Sequence, residues 1–193
     1  MNLWDWKAEF YDSSRKIFPF NQILFKEVEN LKRLLSYITL NGMAVLDVGT
    51  GPGTNLHLLQ KSACLYAVDR SFRMICKARK KLPIVSVVAD STRLPFKPRS
   101  FNLITAIGLL EYQERYRDFL REVQRLLTFD GLVLLTFSPK GWLNLLRNFL
   151  GHRLYLTSQE DFNIAACHAG FEIVEFRESL LQRQVLLVKK HAE

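Results

Sequence analysis

Cysteine is scarce in this chain: Cys64, Cys76 and Cys167 are the only three in 193 residues. They are widely spaced, form no C-x-x-C pair, and no histidine stands at metal-ligand spacing from them. A disulfide framework and a zinc site are thereby excluded, and the three are expected as buried small hydrophobes. No apolar run is long enough to span a bilayer. The first residues lack the basic-then-apolar pattern of a secretory signal. These absences predict a soluble, cytoplasmic protein. Low-complexity tracts, internal repeats and linkers are missing too, which argues against disorder and for one domain over residues 1–193.

What the chain does have is apolar bulk and positive charge. Hydrophobic residues make up 48% of it, enough to bury a real core. The formal charge is +8. Bases crowd at Arg70, Arg73, Lys77, Arg79, Lys80 and Lys81, and again at Arg115, Arg117, Arg121 and Arg125. They suit solvated helix faces, or attraction to nucleic acid, anionic lipid or an acidic substrate. Charge alone does not separate these readings.

The most informative stretch is Met43-Ala44-Val45-Leu46-Asp47-Val48-Gly49-Thr50-Gly51-Pro52-Gly53. A short apolar run of branched side chains reads as a buried strand. Three alternating glycines follow, and then Asn55 to Gln60, which suits a helix. Strand, glycine turn and helix present backbone N–H groups to a ligand at the carboxyl edge of an open α/β sheet. Asp47 is a poor neighbour for a pyrophosphate, since like charges repel. It suits a ligand with positive charge, such as an amino acid or a sulfonium. The spacing G-x-G-x-G also departs from the dinucleotide fingerprint G-x-G-x-x-G.

Val45 to Gly53 resembles the first motif of class I S-adenosylmethionine-dependent methyltransferases. The resemblance extends over about residues 40–190. It implies a Rossmann-like α/β fold: a doubly wound sheet of seven mostly parallel strands, an antiparallel C-terminal strand, and helices on both faces. The strand–helix alternation points the same way. It also implies S-adenosylmethionine as cofactor, held by Asp47, Gly49, Thr50, Gly51 and Gly53. Cys64 to Asp69 reads as a second strand, with Asp69 about 20 residues past Gly49, the offset at which a carboxylate reaches a ribose diol. Arg70, Ser71 and Met74 match the element D-x-S-x-x-M that flanks the adenine. A third buried strand, Ile84–Val88, leads to Asp90 and Ser91, similar to the element in which an acid and its neighbour meet the adenine edge. Ile107, at the end of a fourth strand starting at Phe101, is expected to line the pocket with Gly108. Leu109 to Tyr112 would position substrate. Asn102 stands where the family usually has an acid that supports the fold.

Other elements follow from periodicity and turn chemistry. Asn21–Leu40 is predicted as an amphipathic helix capped by Asn21 and stopped at Asn41-Gly42. Together with residues 1–20, which carry Trp4, Trp6, Phe10, Tyr11, Phe18 and Phe20, it forms an arm over residues 1–40 attached to a core at 41–193. Phe10-Tyr11-Asp12 resembles a family element that folds over the cofactor, so Tyr11 joins the candidate site; an arm that only fills core is the alternative. A helix over Arg115–Leu127, an Asp130-Gly131 turn and a fifth strand over Leu132–Phe137 come next. Trp142 to Leu150 reads as a short apolar helix: a core helix, a lid over an apolar substrate, or a patch for membrane or partner. Thr157-Ser158-Gln159-Glu160 reads as a capping box for a helix ending at Gly170, and Phe171–Phe176 and Gln184–Lys189 as a closing hairpin.

Methyl transfer asks little of the protein beyond orientation and exclusion of water, and no catalytic constellation is legible. His57, His152, His168 and His191 are candidates for a general base only if one faces the pocket. The expected activity is methyl transfer to a small or lipid-like acceptor. RNA methylation, motivated by the basic surface, and a non-catalytic S-adenosylmethionine-binding protein are the alternatives. A nicotinamide dehydrogenase is disfavoured by Asp47 and the glycine spacing.

Overall fold

A computed structural model describes residues 20–149 and 153–190. The chain opens with α1 (Phe20–Leu35), β1 (Ala44–Val48), a 3-10 turn at Leu56–Leu59, β2 (Cys64–Asp69), α2 (Phe72–Lys81) and β3 (Val85–Val88). It continues through β4 (Phe101–Ala106), a second 3-10 turn (Leu110–Tyr112), α3 (Tyr116–Leu126), β5 (Leu127–Phe137), α4 (Trp142–Arg147), α5 (Gln159–His168), β6 (Phe171–Glu178) and β7 (Arg183–Lys189). The strands form one seven-stranded sheet in the order β3-β2-β1-β4-β5-β7-β6. β3, β2, β1, β4 and β5 run parallel, and β7 lies antiparallel between β5 and β6.

Strand alternation sends side chains to two cores. On one face Leu46, Val48, Ile104, Val133 and Leu135 pack with Phe119 of α3 and Phe162 of α5. On the other, Val45, Leu103, Leu134 and Leu186 pack with Leu31 and Leu34 of α1 and with Leu56 and Leu59. The chain winds outward from β1 to β3 and then returns to place β4 on β1's other side. That reversal opens a crevice at the carboxyl ends of β1 and β4, where open α/β sheets take ligands.

Several local expectations change. α1 stops at Leu35, before Asn41-Gly42, and Asn21 lies within it. Gly42, at φ +83°, instead turns the chain into β1. The segment after the glycine loop makes only a 3-10 turn. β3 is a half-exposed edge strand, with Val85 56% and Val88 48% exposed, because nothing pairs with its outer side among the described residues. β5 begins at Leu127, directly after α3, so Asp130 at φ +57° marks an irregularity within the strand rather than a separating turn. Ser158, not Thr157, caps α5, its hydroxyl accepting from the Asp161 N–H at 3.1 Å. Cys64 and Cys167 are exposed and Cys76 is half-buried, so the cysteines are not core residues.

Asn102 keeps a supporting role without an acid's charge. Its Oδ1 accepts the Ala44 N–H at 2.9 Å, tying the start of β1 to β4.

Candidate functional site

The crevice is a cleft partly open to solvent, lined by the loop after β1 and by the ends of β2, β3 and β4. Its floor is the loop after β1. Gly49 and Thr50 donate their backbone N–H groups to the Val68 carbonyl at 2.8 and 3.0 Å, which folds the loop back against β2. Three positive φ values, +71° at Gly49, +54° at Gly51 and +76° at Gly53, make the turn. The glycines do different jobs. A Cβ on Gly49 would lie 2.8 Å from Leu109 Cδ1, and one on Gly53 would lie 3.0 Å from the Ala78 Cα. One glycine lets the 107–112 segment close over the loop; the other seats the loop on α2. A Cβ on Gly51 would meet nothing within 4 Å.

Asp69, at the end of β2, holds this loop. Its Oδ2 accepts the Gly51 N–H and its Oδ1 the Ser71 N–H, both at 2.8 Å. Burial raises its pKa, opposed by those backbone bonds. A carboxylate offers about four acceptor positions; with the Arg70 backbone N–H also bonded to it, Asp69 still keeps acceptor capacity for a ligand. Asp90, just past β3, is exposed; its Oδ1 accepts from the Thr92 N–H at 2.8 Å and the Thr92 hydroxyl at 2.6 Å. The Thr92 hydroxyl and N–H hold its pKa below the ordinary carboxylate value, so it remains an acceptor. Beside it the Ser91 hydroxyl is buried and has no hydrogen-bond partner among the described residues.

Asp47 sits one layer deeper. It is 4% exposed, and the Thr105 hydroxyl on neighbouring β4 donates to its Oδ1 at 2.6 Å. Burial pushes its pKa up to about 6, against the pull of Thr105.

Nine of the thirteen residues named from sequence line the cleft: Gly49, Thr50, Gly51, Asp69, Arg70, Met74, Asp90, Ser91 and Ile107. Asp47, Gly53 and Ser71 stand behind the lining and shape it. Tyr11 lies outside the described residues. Sequence reasoning missed Thr54, Asn55 and Gln113. A polar loop residue without its own motif gives no sign of which way it will face.

The far wall is apolar and aromatic, with Ile107, Leu109 and Tyr112. Behind it Glu111, 2% exposed, accepts from Gln182 Nε2 at 3.0 Å and from the Tyr155 N–H through its carbonyl at 2.7 Å. Among the described residues, no histidine or cysteine lines the cleft. His57 and His168 are exposed, and His152 and His191 lie outside the described residues.

The basic runs resolve largely into helix faces. Arg125 holds the Phe96 and Leu94 carbonyls at 3.0 and 3.1 Å, and Arg115 and Arg121 both pair with Asp118.

Comparison with known proteins agrees with this architecture. Residues 46–135 match the family model described as a methyltransferase domain. The demethylmenaquinone methyltransferase of Thermotoga maritima is 36% identical over 146 residues, covering 72% of this chain and 62% of that protein. The malonyl-[acyl-carrier protein] O-methyltransferase of Legionella pneumophila is 32% identical over 111 residues, covering 53% of this chain and 38% of the relative. The chain thus spans between about two fifths and three fifths of the length of these curated relatives. The fold is that of magnesium protoporphyrin IX methyltransferase from Synechocystis, solved with bound SAH: the TM-score is 0.76 at 20% identity, covering 90% of this chain and 88% of that one. In its matched stretch, strand order and glycine crevice, the chain is similar to class I S-adenosylmethionine-dependent methyltransferases.

Proposed function

We propose that the chain binds S-adenosylmethionine in this cleft and transfers its methyl group to a small or lipid-like acceptor. The observation that carries the reading is Asp69. It is fixed at the cleft by the Gly51 and Ser71 N–H groups and keeps acceptor capacity toward the cleft for a ribose hydroxyl. Asp90 and the unpartnered Ser91 hydroxyl, one strand further out, offer an acceptor and a polar contact to an adenine edge. The open side of Gly51 leaves room for the amino-acid end of the ligand against the loop. Asp47, mostly ionised above its pKa of about 6, sets a negative charge beneath that end. A pyrophosphate there would face that charge from a partly desolvated site, at a cost of several kcal/mol.

When bound, the sulfonium supplies an activated methyl carbon with a good leaving group. The protein's share is then to orient the acceptor and exclude water. Ile107, Leu109 and Tyr112 form the wall against which an apolar acceptor would lie. The names of the two curated relatives, whose acceptors are a quinone and a carrier-bound acyl group, support the same class.

The test is incubation of the protein and methyl-labelled S-adenosylmethionine with fractionated cell extract. Label is expected in the organic-soluble or small-molecule fraction. Label in RNA, or in no fraction, would overturn the reading.

A further inference from the structure

Helix α4 is turned inside out. Trp142, Leu145, Leu146 and Phe149 fall at the i, i+3, i+4, i+7 spacing of one helical face. That face points to solvent: the four are 73%, 59%, 46% and 88% exposed. The side facing the body carries a polar residue instead. Asn144 is 2% exposed, and its Nδ2 donates to the Pro139 carbonyl at 3.0 Å and the Leu181 carbonyl at 3.1 Å. Arg147 Nη1 donates to Asn144 Oδ1 at 2.7 Å. Three hydrogen bonds on one buried amide fix the helix's rotation, so the outward stripe is held there rather than left by loose packing. Leu180, on the loop that Asn144 holds, adds a further apolar side chain at 61% exposure. Scattered exposed hydrophobics need no explanation, but a contiguous stripe on a pinned helix does.

Charge decides what covers it. Between residues 140 and 153 the sequence contains Lys140, Arg147 and Arg153 and no acid. Lys140 reaches the Asp161 carboxylate at 3.2 Å, but that pair is largely in solvent, where such contacts contribute little. A second copy of this chain would bring the same basic rim against itself, and each copy carries a formal charge of +8. An apolar stripe led by tryptophan and phenylalanine, rimmed by bases, matches the interface of a bilayer containing anionic lipid. We propose that α4 and the turn that follows it dock the protein on an anionic membrane surface, with Trp142, Leu145 and Leu146 of α4 and Phe149 just past its end entering the headgroup boundary and Lys140, Arg147 and Arg153 meeting lipid phosphates.

The geometry gives the docking a direction. α4 follows β5 at the carboxyl edge of the sheet, the edge that holds the cleft. The loop that Asn144 holds carries Gln182, whose amide bonds Glu111 behind the cleft wall. A bilayer under α4 would therefore lie beside the cleft. Docking does not depend on methyl transfer, so it stands or falls separately from the proposed activity.

The experiment uses the full chain with Trp4 and Trp6 replaced by phenylalanine, so that Trp142 is the sole tryptophan. Its emission is recorded with phosphatidylcholine vesicles and with vesicles also containing phosphatidylglycerol. The same mixtures are sedimented to measure bound protein. Expected is a blue shift and co-sedimentation with the anionic vesicles, weakened by salt and reduced roughly tenfold or more by the pair Leu145→Gln and Phe149→Gln. No binding, or binding unchanged by that pair, overturns the proposal. So does a self-association that the pair abolishes, since the face would then join two copies. A Trp142 emission already buried-like without vesicles also overturns it, because another segment of the chain would then cover the stripe.

Discussion

The carboxyl edge of the sheet has two halves built on opposite plans. Around β1 to β3, polar groups are sunk into the structure and held by hydrogen bonds: Asp69 by the Gly51 and Ser71 N–H groups, Asp47 by the Thr105 hydroxyl. Around β5, α4 and β7, apolar groups stand in solvent while Asn144 and Gln184 are buried. In the first half the backbone dictates which residue types can occupy each position, so the function is spelled in motifs. In the second the chemistry lies in a surface, and any sequence with the right stripe would serve.

Variants can break or sharpen that contrast. The largest effect is expected at Gly53. An added Cβ at φ +76° would meet the Ala78 Cα at 3.0 Å, and strain plus overpacking should cost Gly53→Ala about 4 kcal/mol of stability. Denaturant unfolding reads this directly, and a loss below about 1 kcal/mol would show that the loop can leave α2 without cost.

Next comes the pH dependence of Asp47. Its folded pKa of about 6 lies above the ordinary aspartate value of 3.8, so the folded state holds the proton more tightly than the unfolded one. The stabilising contribution is complete below about pH 4 and is lost as pH rises through 6. Wild-type stability should therefore fall relative to Asp47→Asn by roughly 3 kcal/mol across that window. Parallel stability–pH curves would contradict the buried, ionisable state described for Asp47.

Asp69→Asn should weaken S-adenosylhomocysteine binding by about 2 kcal/mol, the scale of a hydrogen bond to a charged group. The amide nitrogen must also face a Gly51 or Ser71 N–H, so the unliganded protein should lose about 1 kcal/mol of stability as well. Unchanged affinity in isothermal calorimetry would remove Asp69 from the site. The smallest effect is expected far from the cleft. Asn102→Ala leaves the Ala44 N–H without its acceptor and should cost about 1 kcal/mol, whereas Asn102→Asp should keep the bond and the stability. Equal losses for both would show that the amide, not the acceptor, matters there.

The same contrast explains what the sequence could convey. Three acids at or near the ends of three successive strands are readable because strand ends and glycine turns are local chemistry, and strand–helix alternation conveys a mostly parallel sheet but not its strand order. Asp47 was legible as a residue but not as to depth. That it lies under the loop and bonds Thr105 depends on pairing between β1 and β4, strands separated by most of the cofactor half. Val85 and Val88 read as buried because apolar runs look alike in central and edge strands. The rotation of α4 was hidden for a similar reason. Periodicity shows that a helix has an apolar stripe, but only the bonds of Asn144 to Pro139 and Leu181 decide which way it points. Thr54, Asn55 and Gln113 reach the cleft through loop paths that no spacing rule encodes.

Calorimetric titration of protein stripped of bound small molecules, with S-adenosylhomocysteine in one cell and NAD in another, addresses the identity of the ligand itself. Asp69 and Asp90 at the cleft, with the Asp47 charge below the loop, call for saturable S-adenosylhomocysteine binding and no heat from NAD. Saturable NAD binding with none for S-adenosylhomocysteine would contradict the assignment of the cleft.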